Sequence, residues 1–363
     1  LIFRSPDTYC ALIMASEDKH RISWAYKNRH VDIGNKWYYG RDGHLVIARN
    51  EQEIDPRLTC TTDWRRLNGV TRDNGSVLRS GQIEKDTNGS WQPEWLLCRN
   101  PMAGAVTFDN GDAAAGIEVV SGELRARKSY YFLKEEQTIV ALTSHVKGEG
   151  STETTVHTFP VAEIPELVVN GERHVPEDGK TMWIKTPCWL HVEGAGYYFP
   201  DEGEVGVVSY VRKPDFEDHS WARKDRSQLM PQRFLTLFFD HGENPTDASC
   251  VSVIFLDTPV DRMPAVANRF RDSAEIIRTD AGHRFRLDAF TGQVFFRAGR
   301  VGTWTTNGPC VLAEQSGAKG AHGELFNPDW GGEPVKITSA SEGKNDLTGV
   351  LEVKAEGGQS RRF

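Results

Sequence analysis

Three short segments of the chain combine polar groups with aromatic rings in patterns that can support chemistry. The first spans residues 28–44 and places amide, guanidinium, carboxylate and imidazole groups around Trp37, Tyr38 and Tyr39. Aromatic faces stack on pyranose rings, amides and guanidinium groups bind carboxylates and hydroxyls, and a tyrosine or histidine can transfer a proton. The segment therefore fits a sugar or uronate platform. An ordinary strand, turn and strand explains the same composition and is the more common case.

The second segment, residues 63–71, carries two adjacent arginines. Arg65 and Arg66 together fit a site that holds an anion. A loop fixed by its own contacts explains the same residues, with Asp63 capping the turn and an arginine paired internally. From the sequence alone this second arrangement is the commoner one.

The third segment, residues 239–245, brings together Asp240, His241 and Glu243, which are residue types that bind metal ions. Such ligand sets usually need partners from elsewhere in the chain, and an exposed hairpin turn is the commoner explanation. The sequence contains no nucleophile elbow, P-loop, dinucleotide-binding glycine fingerprint or zinc-protease helix. Most nucleotide and hydrolase chemistries therefore lack their usual signatures in this chain.

Composition narrows the classes of partner. The 363 residues carry 43 basic and 51 acidic side chains, a net charge of −8, which disfavours binding to nucleic acid or to an anionic membrane surface. No apolar run approaches the length of a transmembrane helix. The six cysteines are too widely spaced for zinc knuckles or redox pairs, and long-range disulfides stay open.

Short apolar or alternating runs separated by Gly, Asn, Asp and Pro predict antiparallel strands along most of the chain. In residues 138–146 consecutive positions are apolar, which predicts a strand that is covered on both faces. In residues 152–159 apolar and polar residues alternate, which predicts a strand with one face in water. The expected strands are residues 45–48, 105–108, 116–120, 124–133, 138–146, 152–159, 181–185, 189–192, 205–211, 234–239, 250–256, 284–290, 293–298, 309–314, 334–339 and 348–355.

One helix interrupts this rhythm. Residues 264–277 place Val266, Phe270, Ala274 and Ile277 on one helical face after Pro264. We place a domain boundary there, with a large β unit at residues 1–260 and a smaller one at 261–363. Because helices are so rare, the sheets must cover one another, and the expected fold is all-β, built of stacked antiparallel sandwiches.

Taken in order, a series of segments resembles polysaccharide lyase family 8, the hyaluronate, chondroitin AC and xanthan lyases. The resemblance covers nearly the whole chain and matches the family's central β-supersandwich and smaller C-terminal β-sandwich. Each segment alone is a weak indication of the family, but seven matches in the right order are a strong one. The matching segments are residues 14–16, 35–43, 63–71, 127–132 with 139–142, 154–156, 240–245 with 253–259, and 293–299 with 325–328.

The resemblance implies cleavage of an acidic, uronate-containing polysaccharide by β-elimination, a scheme that requires no metal, and we expect no cofactor. Neutralisation of the uronate carboxylate acidifies the neighbouring proton, a base removes it, and an acid protonates the leaving glycosidic oxygen. In the family the residues that do this lie on an N-terminal helical toroid, which this chain lacks, so the catalytic residues stay unknown and a helical domain or chain is an implied partner. Tyr38 and Tyr39 are then structural or cleft-lining.

The resemblance also implies substrate-binding residues. The family's β domain contributes Glu and Asn from the loop before the Trp–Tyr element. Here residues 26–32 hold no Glu, and Asn68 and Val70 replace a Pro and a Thr of the family pattern. The implied substrate-binding set is Asn28, Asp32, Asn35, Arg41, Arg65 and Arg66.

The chain begins at Leu1 rather than Met, so we expect that a signal or a whole upstream region has been removed. The resemblance implies a secreted enzyme, located outside the cell or in the periplasm. Two other functions stay open. One is a carbohydrate-binding or scaffolding β module without chemistry. The other is a self-sufficient metal-assisted lyase or hydrolase using His30, His44 or His241, which chelation would inactivate.

Overall fold

The structure is a computed structural model that describes residues 2–4, 9–16, 40–49, 53, 61–73, 83–85, 91–93, 98–214, 230–317, 320–328, 334–339, 350–353 and 360–362. Seventeen strands precede residue 260 in these ranges. They are β1 (Ile2–Arg4), β2 (Tyr9–Met14), β3 (Asp42–Ala48), β4 (Thr71–Asp73), β5 (Ile83–Lys85), β6 (Trp91–Pro93), β7 (Met102–Thr107), β8 (Ala113–Ser121), β9 (Leu124–Leu133), β10 (Thr138–Lys147), β11 (Ser151–Val161), β12 (Leu167–Val169), β13 (Glu172–His174), β14 (Thr181–Val192), β15 (Ala195–Arg212), β16 (Gln232–Glu243) and β17 (Ala248–Phe255).

Antiparallel pairing joins most of these strands into one large sheet. Within the described residues it holds twelve strands, and its main order is β13-β12-β14-β15-β17-β10-β9-β8-β7. The long strand β15 pairs with β17 through residues 196–198 and with β16 through residues 206–212. The sheet therefore divides at β15 into two branches, and β16 leads through β11 to β4. Strands β1 to β3 form a separate sheet.

The remaining elements follow a short 3₁₀ turn at Val260–Arg262. Ten further strands in the described ranges form a six-stranded sheet, β18-β19-β20-β23-β24-β27, and a four-stranded sheet, β21-β22-β25-β26. The elements are α1 (Met263–Ser273), β18 (Glu275–Arg278), β19 (Gly282–Leu287), β20 (Phe290–Phe295), β21 (Gly299–Val301), β22 (Trp304–Thr306), β23 (Cys310–Gly317), β24 (Gly320–Phe326), β25 (Val335–Ser339), β26 (Val350–Val353) and β27 (Ser360–Arg362).

Strand β9 shows how the layers are built. Successive side chains of a strand point to opposite faces, so the fully buried neighbours Tyr130 and Tyr131 enter two different cores. Tyr130 joins the core inside the large sheet, together with Leu45 of β3. Tyr131 joins the layer between the large sheet and the six-stranded sheet, where Phe285 also packs. A third core, around Trp304, lies between the six-stranded and four-stranded sheets.

The large sheet and the six-stranded sheet approach each other closely at two glycines, one in each sheet. A Cβ on Gly116 of β8 would lie 2.2 Å from Val294 Cγ1 of β20, and one on Gly292 of β20 would lie 2.4 Å from Tyr131 Cδ1. Neither contact is sterically allowed. Because both residues are glycine, the backbone of each sheet can pack directly against a side chain of the other.

The all-β expectation is confirmed, and so is the doubly covered strand at residues 138–146, which is β10. The expected wet face of residues 152–159 is wrong in the middle of β11, where residues 154–157 are all buried. The physical reason is a bulge between Thr155 and His157, which interrupts the alternation, and the contact of His157 with the buried Tyr197, whose hydroxyl lies 2.7 Å from His157 Nδ1. The helix ends at Ser273 rather than at residue 277, because Ile276 and Ile277 pair with β19 instead.

Further differences concern strand limits. The expected strands at 181–185 and 189–192 are one strand, β14, and residues 284–290 divide between β19 and β20. No helix within the described residues is long and apolar enough to cross a membrane. The five cysteines in these ranges, at positions 10, 98, 188, 250 and 310, are free and buried.

A buried histidine links the six-stranded sheet to the large sheet. His283 of β19 is fully buried, with Nδ1 2.8 Å from Ser129 Oγ of β9 and Nε2 2.6 Å from Ser144 Oγ of β10. Burial, with smaller effects from Arg278, His145 and Arg127, lowers the pKa of His283 from 6.5 to about 3. The imidazole therefore stays neutral in the folded protein well below the pH at which it is protonated in the unfolded chain.

We predict that this histidine makes folding stability fall with acidity. Between its unfolded pKa of 6.5 and its folded pKa of about 3, the unfolded chain binds one more proton at this site. The free energy of unfolding should thus fall as pH drops below 6.5, by up to about 1.4 kcal/mol per pH unit for this group. His283→Gln should be less stable at neutral pH yet show a shallower pH dependence in urea denaturation. An unchanged slope would contradict this assignment.

Candidate functional site

The segment at residues 61–70 runs beside strand β11 and connects it by hydrogen bonds to β3. The Gly69 N–H donates to Thr155 O at 2.8 Å, and the Thr155 N–H donates to Val70 O at 3.0 Å. Asn68 holds both strands, because its Oδ1 accepts from the Thr158 N–H at 2.7 Å and its carbonyl accepts from the Leu45 N–H at 2.8 Å. The position where the family pattern has proline is here occupied by a side chain that joins the segment to the sheet.

Side chains of β9 contact two glycines, Gly43 at the bulge of β3 and Gly69 in the loop before β4. Gly43 and Gly69 have positive φ angles of 92° and 75°, where a larger side chain is strained. The buried Tyr130 hydroxyl lies 2.8 Å from Gly43 O and 3.0 Å from Gly69 O. Lys128, also buried, donates through Nζ to Gly69 O and to Thr71 Oγ1. The two segments that carry the predicted arginines are therefore attached to the same rigid strand.

Arg66 is held by an ion pair and two aromatic rings. Its Nε and Nη2 donate to the two carboxylate oxygens of Glu153 at 2.8 and 3.0 Å, a bidentate pair. The guanidinium carbon lies 4.6 Å from the Phe238 ring centre and 5.9 Å from that of Tyr210. Arg66 thus lies flat on the sheet with its charge compensated.

Arg65 differs from its neighbour. Its N–H donates to Asp63 Oδ1 at 3.1 Å, which closes the turn, and Asp63 also pairs with Arg212 at 3.0 Å. The Arg65 side chain itself is exposed, and within the described residues its guanidinium has no carboxylate partner. Of the three predicted arginines that the structure describes, Arg65 alone presents an exposed guanidinium.

Arg41 lies in a buried polar cluster. Its Nε is 3.5 Å from Asp42 Oδ1, and its side chain is 9% exposed. The Asp42 carboxylate accepts from Arg72 Nη1 at 2.8 Å and from Asn100 Nδ2 at 2.9 Å. Asn100 Oδ1 in turn accepts from the Val120 N–H at 2.8 Å. The cluster fixes the start of β3 against β4 and β8.

A cavity of about 220 Å³ opens beside the segment at residues 61–70. Its wall includes His44, Glu53, Trp64 and Arg66. Desolvation, with a smaller effect from Arg72, lowers the pKa of His44 to about 4, so the imidazole is neutral near pH 7. Two of the charged wall residues are compensated, since Glu53 pairs with Arg49 at 2.7 Å and Arg66 with Glu153. The rest of the wall is mainly apolar and includes Ile47, Leu67 and Phe159.

The third sequence segment is the end of β16, through Glu243, and the first two residues of the turn to β17. Asp240 Oδ1 accepts from the Gly242 N–H at 2.8 Å, and Asn244 adopts a positive φ of 50°. His241 Nε2 lies 2.8 Å from Thr154 Oγ1, and burial lowers the pKa of this imidazole to about 4. In the described ranges no three His, Cys, Asp or Glu side chains are grouped so that they could hold a metal ion.

Three of the six predicted binding residues, Asn28, Asp32 and Asn35, lie outside the described residues, as do Tyr38 and Tyr39. The structure brings Arg65 and Arg66 together on one segment and sets Arg41 in the cluster behind it. Sequence reasoning missed Glu153, which lies 87 residues from its partner Arg66. Its place on an alternating strand gave no signal, because the pairing depends on how the segment folds over β11.

The sequence model of polysaccharide lyase family 8, super-sandwich domain, matches residues 4–267. The chain belongs to this family. Among curated proteins, a hyaluronate lyase of Thermasporomyces composti is 27% identical over 327 residues, which are 86% of this chain and 38% of that protein. Hyaluronate lyase HylB of Enterococcus faecalis is 27% identical over 254 residues, or 64% of this chain and 24% of that protein. The chain thus spans well under half of these family 8 relatives.

Solved structures share the fold. A Paenibacillus xanthan lyase superposes with a TM-score of 0.78 at 21% identity, covering 99% of this chain and 36% of that chain. A chondroitinase AC lyase superposes with a TM-score of 0.73 at 16% identity, covering 100% of this chain and 52% of that one. The expected resemblance to family 8 is confirmed.

We predict that the two neighbouring arginines differ in their effect on stability. Arg66→Ala removes both hydrogen bonds to the half-buried Glu153 and the contact with Phe238, so the free energy of unfolding should fall by about 1–3 kcal/mol. Arg65→Ala is the matched control, because its exposed side chain should change stability by less than about 0.5 kcal/mol. Urea denaturation of both variants measures the difference. Equal losses would show that the Glu153 pair does not fix the segment.

Proposed function

We propose that this chain is the β portion of a polysaccharide lyase that cleaves a uronate-containing polysaccharide by β-elimination. Its membership in family 8 supports the proposal most directly. The names of the relatives add to it, since they are hyaluronate, chondroitin and xanthan lyases. Secretion, to the extracellular space or the periplasm, follows from the size of such substrates.

The proposed reaction needs three groups around the uronate. A cation or hydrogen-bond donor neutralises the carboxylate, a base removes the proton on the carbon beside it, and an acid protonates the leaving oxygen. The buried histidines at positions 44, 241 and 283 have pKa values lowered to between about 3 and 4, so they are weak bases. Following the family resemblance, we assign proton transfer to a helical domain N-terminal to this chain and substrate binding to the β portion.

Within the described residues, Arg65 is the predicted binding residue best suited to a uronate carboxylate. Its guanidinium is exposed, and the turn that carries it is closed by Asp63 and attached to β9 through Gly69. An anion there meets a cation that no described carboxylate compensates. Arg66 and Arg41 then act by positioning this segment, and Asn28, Asp32 and Asn35 stay proposed as further contacts.

We also propose that the chain divides near residue 260. The last two sheets have a core of their own around Phe295, Trp304 and Ile337. Helix α1 packs between the two parts, since Phe270 contacts both Tyr198 and Phe285. The two units would be a supersandwich at residues 1–260 and a small sandwich at 261–363.

The test is the formation of unsaturated uronyl ends, which absorb in the ultraviolet. The full-length protein that contains this chain should release them from hyaluronan, chondroitin or xanthan, and the chain alone should not. A full-length protein that binds these polymers without releasing unsaturated ends would instead favour a carbohydrate-binding module. Loss of activity on chelation would revive the metal-assisted alternative.

We predict that Arg65→Ala in the full-length protein raises KM for the acidic polymer by about tenfold, since one charge-assisted contact is worth ~1.5 kcal/mol. The increase should shrink at high salt because screening already weakens the lost interaction. Arg300→Ala, which removes another exposed arginine from β21, is the matched control and should leave KM unchanged. Equal KM values for the two variants would remove Arg65 from the proposed site.

A further inference from the structure

An exposed indole stands on the outer face of β14. Trp183 is 46% exposed and is the one aromatic ring among the large apolar side chains that the described residues expose. Its registered partner on β15 is Gly206, and the next residue across the sheet is Phe238 of β16. The Trp183 and Phe238 rings meet edge to face, with centres 5.6 Å apart. A Cβ on Gly206 would lie 3.0 Å from the indole and 2.7 Å from the Phe238 ring. The glycine therefore leaves the space that this ring pair occupies.

The ring beneath Trp183 is itself fixed. Phe238 is buried, and the guanidinium of Arg66 lies over it at 4.6 Å while its Nε and Nη2 bind Glu153. The exposed indole thus packs against a buried ring whose neighbouring guanidinium is held by a bidentate ion pair. A ring held in this way loses little conformational entropy when a ligand binds to it.

The residues beside the indole are polar. Lys185 lies two positions further along β14, so it shares the face of Trp183 at about 7 Å along the strand. Glu204 of β15 is registered directly opposite Lys185. Both side chains are exposed. The face therefore offers one flat apolar ring next to a hydrogen-bond donor and a hydrogen-bond acceptor of opposite charge.

We propose that Trp183, Lys185 and Glu204 bind one pyranose ring of a polysaccharide chain. The C–H face of the sugar stacks on the indole, and its hydroxyls donate to Glu204 and accept from Lys185. Because the two charges oppose each other, the sugar is recognised by its ring face and hydroxyls rather than by an anionic group. The inference rests on the proposed function only for the choice of polymer.

The size and polarity of the surface favour a sugar over a protein partner. A stable protein interface needs a buried area of about 800 Å² on each side and an apolar centre. Here the apolar surface is a single ring with charged neighbours, and Val211, another exposed apolar residue of β15, points to the opposite face of the strand from Gly206. One ring with polar flanks matches one sugar.

The experiment uses the full-length protein that contains this chain and hyaluronan, chondroitin and xanthan as probes. Affinity is measured as KM where the polymer is cut and by affinity electrophoresis where it is not, so a failure of the proposed function leaves this test intact. Trp183→Ala should weaken binding of at least one polymer by about fivefold to tenfold, since aromatic stacking contributes on this order. Trp183→Phe should recover much of the affinity.

Val260→Ala, which shortens another exposed apolar side chain, is the matched control and should bind like the unchanged protein. The ratio between the unchanged protein and Trp183→Ala should stay constant from low to high salt, because stacking is not screened. Trp183→Ala that binds all three polymers like Val260→Ala would overturn the inference. A ratio that disappears at high salt would overturn it too, since the contact would then be electrostatic.

Discussion

The structure around the candidate site depends on hydrogen bonds from one strand, β9, to the carbonyls of two glycines, one at the bulge of β3 and one in the loop before β4. Tyr130 reaches both Gly43 O and Gly69 O, and Lys128 reaches Gly69 O as well. A Cβ on Gly43 would lie 2.5 Å from the Tyr130 hydroxyl, and one on Gly69 would lie 2.8 Å from Gly43 O. The backbone at these two positions can therefore approach β9, and each other, only because both residues are glycine.

Because Lys128 and Tyr130 are buried, losing these hydrogen bonds would cost free energy. Desolvation is the main cause that lowers the pKa of Lys128 from 10.5 to about 7, and it raises that of Tyr130 far above its usual value. An unpaired amine or hydroxyl here would be costly, so each group must keep its carbonyl partner. Nearby, Asp42 is satisfied by Arg72 and Asn100. The buried polar groups thus allow few arrangements of the segments above them, which gives an exposed residue such as Arg65 a defined position.

Much of the fold could be predicted from the sequence because strands leave a local signal. Residues 124–133 and 138–146 match β9 and β10 closely, since alternating or doubly apolar runs depend only on neighbours in the chain. The helix end was wrong because Ile276 and Ile277 gain strand pairing with β19 that no local pattern indicates. The wet face of β11 was wrong because the bulge between Thr155 and His157, and the contact of His157 with Tyr197, depend on residues distant in the chain.

The candidate site was less predictable. The arginine pair at 65 and 66 stood out by composition, but adjacent residues with the same chemistry have different roles here. Arg66 is bound to Glu153, and Arg65 is exposed. That difference arises from the fold of the segment over β11 and β16. Trp183 lies in a run whose neighbours are ordinary strand residues, and only the register with Gly206 and Phe238 distinguishes it.

We have proposed that the segment at residues 61–70 contacts an acidic polysaccharide through Arg65. Hydrogen–deuterium exchange of the full-length protein, with and without a bound acidic oligosaccharide, measures this directly. We expect slower exchange on binding in residues 61–70. Slower exchange confined to regions outside residues 1–363, with this segment unchanged at saturating oligosaccharide, would contradict it.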